Sequence, residues 1–198
     1  MVENAEQQPL RVVAVSGSLH TPSKTSALVH AILDRIAAEQ PISSHVIELS
    51  DIGPEFAGAL TRDQVAPSVE EELRRIEDAD LLIVASPVYR GSFTGLFKHL
   101  FDFVGQYSLV DKPVLVAATG GGERHALILE HQFRPLFGFF QALTLPIGVY
   151  ASNTDFTEYT LTSEAVRQRI DLAVVRGLPF VRNRVRDADA VSDYVGAW

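Results

Sequence analysis

Short β-branched runs alternate along the chain with longer stretches whose apolar residues recur at helical spacing. Leu10-Arg11-Val12-Val13-Ala14-Val15 predicts a first buried strand that ends at Ser16-Gly17-Ser18. Leu28, Ile32, Leu33 and Ile36 share one face of a helix expected from about Ser23 to Glu39. His45 to Leu49 reads as a half-buried second strand, Val69 to Ile76 as a charged helix, and Leu81 to Ala85 as an apolar third strand. A helix over Thr94 to Val104 precedes a fourth buried strand, Pro113 to Ala118. A long helix is expected from near Glu123, then a fifth strand over Ile147 to Tyr150 and a final helix from about Thr162 to Phe180.

Strands that are apolar on both faces and alternate with helices indicate a parallel sheet covered on both sides. Five of them suit a flavodoxin-like, doubly wound α/β domain of strand order 2-1-3-4-5 better than an eight-stranded barrel. The domain is expected over residues 10–182, between a flexible N-terminal segment, 1–9, and a mobile C-terminal tail, 183–198, that ends in the only tryptophan.

Composition narrows the classes of function. The 198 residues carry 17 Lys and Arg against 25 Asp and Glu, a formal charge of −8 that argues against a general nucleic-acid binder. There is no cysteine, which excludes a thiolate metal site, an iron–sulfur cluster and a thiol nucleophile. The six histidines show no metal-ligand spacing, so no metal is expected. No apolar run approaches the ~18 residues of a membrane span. The polar start lacks an export signal, so a cytoplasmic protein is expected.

In an open parallel sheet, ligands bind beyond the carboxyl ends of the strands. The three segments there are unusual. Ser16 to Ser26 places six hydroxyl side chains in eleven positions at the start of a helix, a composition suited to holding a phosphate. Ser23 as a plain helix cap is the bland alternative, but a cap uses one hydroxyl. Ser86 to Gly95 offers the aromatic Tyr89, the cation Arg90 and glycines that admit a flat ligand, although an ordinary strand-to-helix loop would look similar. Thr119-Gly120-Gly121-Gly122 loses chain entropy on ordering, which close approach to a ligand would explain. Together the three outline a phosphate pocket beside a slot for a planar ring. Acidic residues are missing from Leu10 to Leu33, from Leu81 to Phe101 and from Lys112 to Gly122, so the net charge says little about the local field.

These loops, and above all Pro87-Val88-Tyr89-Arg90-Gly91-Ser92-Phe93-Thr94-Gly95 followed by Lys98 and Asp102, resemble the NAD(P)H-dependent FMN reductases of the flavodoxin-like superfamily. The resemblance runs from Val12 to about Phe180 and is greatest to the subgroup that supplies reduced FMN to alkanesulfonate and methanesulfonate monooxygenases. It implies that Ser16, Ser18, His20, Ser23, Thr25 and Ser26 hold the FMN phosphate, with His20 standing where many relatives carry Arg. It further implies that Pro87, Val88, Tyr89, Arg90, Gly91, Ser92, Thr119, Gly120 and Gly121 hold the isoalloxazine.

Pro135 lacks an N–H and leaves the carbonyl of His131 without its helical partner, a defect that a local π-bulge or a simple kink would absorb. In the resembling subgroup a π-helix occurs here at a tetramer interface beside the flavin, which makes His131 a candidate site residue. The implied activity is hydride transfer from NADH or NADPH to FMN between stacked rings, with no catalytic side chain and a slight preference for NADH. The implied partners are an FMN-dependent monooxygenase in sulfonate desulfonation and further copies of the chain, as a tetramer or dimer. The residues leave open an FMN-containing quinone, chromate or azo reductase, a flavodoxin-type electron carrier and a flavin sensor.

Overall fold

The structure, a computed structural model, describes residues 8–187, with side chains through 182. Strand β1, Leu10–Ser16, leads into helix α1, Lys24–Ala37, and then β2, Ile42–Glu48. A short helix α2, Leu49–Ile52, precedes α3, Pro67–Asp78; β3, Leu81–Pro87; α4, Gly95–Asp102; and β4, Pro113–Gly120. After an irregular helical segment come α5, Arg134–Phe139; β5, Leu143–Thr144; β6, Val149–Ser152; a small hairpin of β7, Phe156–Thr157, and β8, Thr160–Leu161; and α6, Glu164–Asp187.

The main sheet is parallel with order β2-β1-β3-β4-β5, and β6 pairs with β4 beyond β5. Alternation along the strands divides the core. Val13, Val15, Leu82, Val84, Val114 and Val116 face one layer with Leu73, Ile76, Phe97, Phe101, Phe133 and Phe137. Val12, Ala14, Leu81, Ile83, Leu115 and Ala117 face the other with Leu28, Ile32, Ile170 and Val174. Because both faces are covered, these strands show no polar alternation in sequence. The first layer is bound by aromatic contacts, with Phe97 4.9 Å from Phe101 and Phe101 5.1 Å from Phe137, each between ring centroids.

Three expectations require correction. The fifth strand, expected over Ile147 to Tyr150, is two pieces separated by Leu145 to Gly148. Pro146 has no N–H to offer β4, and a Cβ on Gly148 would lie 3.1 Å from the Val116 carbonyl oxygen, so the edge is both broken and closely packed there. The long helix expected from Glu123 is a 3-10 turn, Glu123–His125, then a π-helical turn, Leu129–Phe133, and only then α5. The final helix does not end near Phe180: it continues through Pro179 to Asp187 because Leu178 and Val181 extend its buried stripe. Residues 183–187 of the expected tail are therefore helical. Residues 1–7 and 188–198, including Trp198, lie outside the described residues.

Candidate flavin site

The three loops at the carboxyl edge are tied directly to one another. The Gly17 N–H donates to the Ala85 carbonyl at 2.7 Å, and Thr94 Oγ1 donates to the Gly17 carbonyl at 2.9 Å, joining the first loop to the second. The Val88 N–H donates to the Thr119 carbonyl at 2.8 Å, joining the second to the third. Thr25 and Thr119 share a buried hydroxyl–hydroxyl bond of 2.6 Å that closes the ring between the first and third. Gly17 is required by this closeness, since a Cβ there would stand 2.9 Å from Phe97 Cδ2 and from Ser86 Cβ.

The hydroxyls of the first loop are largely engaged within the protein. Ser23 caps α1, its Oγ accepting from the N–H groups of Thr25 at 3.1 Å and Ser26 at 3.4 Å. Ser18 Oγ donates to the His20 carbonyl at 3.0 Å. Ser16 Oγ lies 3.0 Å from Ser26 Oγ, and Ser26 Oγ donates to Glu48 Oε2 at 2.8 Å. Ser16, Ser18 and Thr25 are buried, whereas His20 is exposed and Ser23 and Ser26 are half-buried. The exposed residues of this loop are His20, Thr21 and Pro22.

Carboxylates are not wholly absent from the three loops as sequence stretches alone suggest. The parallel register pairs Ser16 with Glu48 at the ends of β1 and β2, which carries an acid into the first loop from 22 residues beyond Ser26. Its separation in sequence hid it. Lys24, the lysine of that loop, turns to the opposite side, where Nζ donates to Asn153 Oδ1 at 3.2 Å and lies 5.9 Å from the Phe156 ring centroid.

The second loop is a two-residue hairpin. Tyr89 and Ser92 exchange backbone hydrogen bonds of 2.8 and 3.1 Å, and Arg90 and Gly91 form its tip with φ of 52° and 83°. Both φ values are those of a primed turn, which glycine adopts freely and arginine only with strain. Tyr89, Arg90 and Gly91 are exposed, and Arg90 has no carboxylate partner among the described residues. Ser92 Oγ donates to Gln132 Oε1 at 3.1 Å, so the hairpin is held against the π-helical turn. His131 is the exposed neighbour of that glutamine. Pro135 left a π-bulge and a simple kink open, of which the structure shows the π-turn, and nothing in the sequence signalled Gln132.

The third loop is fixed by Tyr150. Its hydroxyl donates to the Gly122 carbonyl at 2.6 Å, and a Cβ on Gly120 would lie 2.4 Å from that oxygen. Burial, with weaker repulsion from Asp155 and Glu123, raises the Tyr150 pKa despite the Gly122 contact, so the phenol stays a donor at neutral pH. The pairing of Ala118 with Tyr150 places the tyrosine at this bend. Among the described residues no cluster of His, Asp and Glu could hold a metal ion, and no helix is long and apolar enough to cross a membrane.

A parallel sheet of order 2-1-3-4-5 with its loops gathered and cross-linked at the carboxyl edge defines a flavodoxin-like protein. The model of the NADPH-dependent FMN reductase family matches residues 10–157, and the chain belongs to that family. It is 56% identical over 172 residues to the NADH-dependent FMN reductase SfnF of Pseudomonas fluorescens, covering 87% of this chain and 92% of that protein. It is 53% identical over 176 residues to an FMN reductase (NADPH) of Pseudomonas aeruginosa, covering 89% and 95%. Among solved structures, an oxidoreductase from Corynebacterium diphtheriae matches with a TM-score of 0.77 at 31% identity, covering 88% of this chain and 98% of that one. The apo form of the NADH:FMN oxidoreductase EmoB matches with a TM-score of 0.72 at 25% identity, covering 88% and 89%.

Proposed function

We propose that the protein is an NAD(P)H-dependent FMN reductase, with NADH preferred, that releases reduced FMN to an FMN-dependent monooxygenase of sulfonate desulfonation. The observation that carries this reading is the closed ring of hydrogen bonds through Gly17, Thr94, Val88, Thr119 and Thr25, which holds a phosphate loop and two ring-binding loops in one fixed relation. NADH as donor rests on the names of relatives at 56% identity.

The residues present fit FMN. The N–H groups of Thr25 and Ser26 donate to the single Ser23 Oγ, at 3.1 and 3.4 Å, and a phosphate could replace these with stronger charge-assisted bonds. Open space stands where a Cβ would lie on Gly91 and Gly122, so backbone can approach a planar ring from both loops. FMN supplies the hydride acceptor and the nicotinamide the hydride, without a metal or an acid–base side chain. Thr119, Gly120 and Gly121 position the ring through their backbone, with Tyr150 fixing their bend. Pro87, Val88 and Tyr89 form the opposite wall, and Arg90 offers a cation to the anionic groups of either substrate. The protein's work is orientation and exclusion of water.

Purified protein should oxidise NADH with saturable dependence on free FMN. Turnover on tightly bound FMN that requires an added quinone refutes the reading in favour of a resident-flavin reductase.

The same proposal includes a cytoplasmic homo-oligomer, a tetramer or dimer. Its support is a cleft of about 540 Å³ between α4 and α5, lined by Lys98, Phe101, Asp102, Leu136, Phe139 and Phe140 and by no residue of the three loops. Phe139 is 64% exposed beside it. Light scattering after size exclusion should show an oligomer that Phe139→Glu dissociates; a wild-type monomer refutes it.

A further inference from the structure

We propose that Glu48 keeps FMN exchangeable by placing an uncompensated negative charge next to the phosphate loop. The inference rests on the reading of Ser16 to Ser26 as the phosphate site. It identifies a residue that sets how tightly that site holds its ligand.

Glu48 closes β2, and the register brings it opposite Ser16. Its Oε2 accepts from Ser26 Oγ at 2.8 Å, and Ser26 Oγ lies 3.0 Å from Ser16 Oγ. Ser26 belongs to the first turn of α1 and contributes one of the N–H groups at the helix start. The carboxylate therefore stands one hydroxyl away from the donors that would face a phosphate. A helix start attracts an anion, and a second anion beside it opposes the first.

The usual compensation is missing. Among the described residues no cation forms an ion pair with Glu48. Lys24 is directed to Asn153 and the face of Phe156. The loop contains no arginine, and His20 is exposed. Nor does the helix depend on Glu48 for its cap, because Ser23 performs that role. The charge is thus separable from the local fold: a glutamine would retain an oxygen to accept from Ser26 and remove only the charge.

A protein that hands its flavin to another must let it go, and affinity among related sites is set mostly by the rate of departure. A like charge beside a bound phosphate weakens binding, by roughly threefold to tenfold where solvent reaches the pair, and salt reduces this. Glu48 accordingly trades affinity for release.

The test is a fluorescence titration of FMN and of riboflavin, which lacks the phosphate, into wild type and Glu48→Gln at low and high salt. Circular dichroism and the melting temperature establish that the variant is folded. Glu48→Gln is expected to bind FMN about threefold to tenfold more tightly at low salt, with slower release in stopped flow, and to bind riboflavin as wild type does. The FMN gain should shrink at high salt. If wild type prefers FMN over riboflavin but Glu48→Gln leaves FMN affinity unchanged or weaker, the role of Glu48 is overturned while the phosphate site stands. If wild type binds FMN and riboflavin equally, the phosphate reading of the loop falls, and this inference with it.

Discussion

Replacing Gly17 by alanine adds one methyl group at the point where the first and second loops touch. That methyl carbon would lie 2.9 Å from Phe97 Cδ2, 2.9 Å from Ser86 Cβ and 3.0 Å from Ser86 Oγ. Neither neighbour can swing aside: Phe97 and Ser86 are fully buried, and Ser86 Oγ accepts the Thr94 N–H at 3.1 Å. Relief requires the backbone to part, which stretches the 2.7 Å bond from Gly17 to Ala85. Overpacking of this kind typically destabilises by about 1–3 kcal/mol, and the absence of a flexible neighbour places Gly17→Ala near 2–3 kcal/mol. For a chain of this length that corresponds to a fall in melting temperature of roughly 4–12 °C. The measurement is thermal and urea unfolding at fixed protein concentration, alongside the double variant Gly17→Ala/Ser86→Gly. Removing Ser86 Cβ and Oγ takes away two of the three contacts, so the double variant should lose less than the sum of the two single losses. A Gly17→Ala variant within about 0.5 kcal/mol of wild type, or strict additivity in the cycle, refutes the claim that this contact sets the loop spacing.

Tyr150→Phe should lower stability by about 1 kcal/mol, since the Gly122 carbonyl loses the shorter of its two hydrogen bonds and keeps that from the His125 N–H, and should weaken FMN binding; an unchanged FMN titration would remove Tyr150 from the support of the third loop. Arg90→Gly relieves a left-handed residue, so it should raise stability by about 0.5–1 kcal/mol while reducing FMN affinity, as read by melting and titration together. Glu70 is held at a pKa of about 2, chiefly by its hydrogen bonds from Arg62 with help from Arg74. Because its folded pKa lies below the ordinary carboxylate value, this contribution is present above about pH 4.5 and is lost as the pH falls towards 2. Its side chain is 29% exposed, so solvent reduces the effect to about 1 kcal/mol or less. Glu70→Gln should therefore melt below wild type at pH 7, with the difference closing as the pH falls from 4.5 to 2.

The central strands were legible because Val12 to Val15, Leu81 to Ala85 and Pro113 to Ala118 are apolar on both faces, which a two-sided sheet demands. A defect near His131 was legible because Pro135 removes a donor at a definable position, but whether a π-turn or a kink absorbs it was not. The break in the fifth strand was less visible: Ile147 to Tyr150 looks like one apolar run, while Pro146, which has no N–H, and the close approach of Gly148 to Val116 interrupt the edge. The end of α6 was less legible because the chain past Asn183 is charged and short of apolar residues, while the burial of Leu178 and Val181 carries the helix on to Asp187. In the candidate site, hydroxyl density marked the first loop. It could not reveal that Thr25 joins Thr119 or that Ser16 and Ser26 lead to Glu48. Those partners are adjacent only through sheet register, and a single sequence does not display register.

Arg134 links two irregularities that sequence spacing treats as separate. It begins α5 at the end of the π-turn, and its guanidinium donates to Thr144 Oγ1 at 3.1 Å and to the carbonyls of Leu145 and Pro146, each at 3.0 Å. Those carbonyls lie in the gap between β5 and β6, where the strand cannot continue. The extra residue of the π-turn and the missing strand residues are therefore matched parts of one joint. An insertion or deletion in either half alone would strand the arginine or leave the carbonyls unpaired. A change to one irregularity should therefore be tolerated only when the other is reset with it, so the π-turn and the broken edge strand behave as one unit.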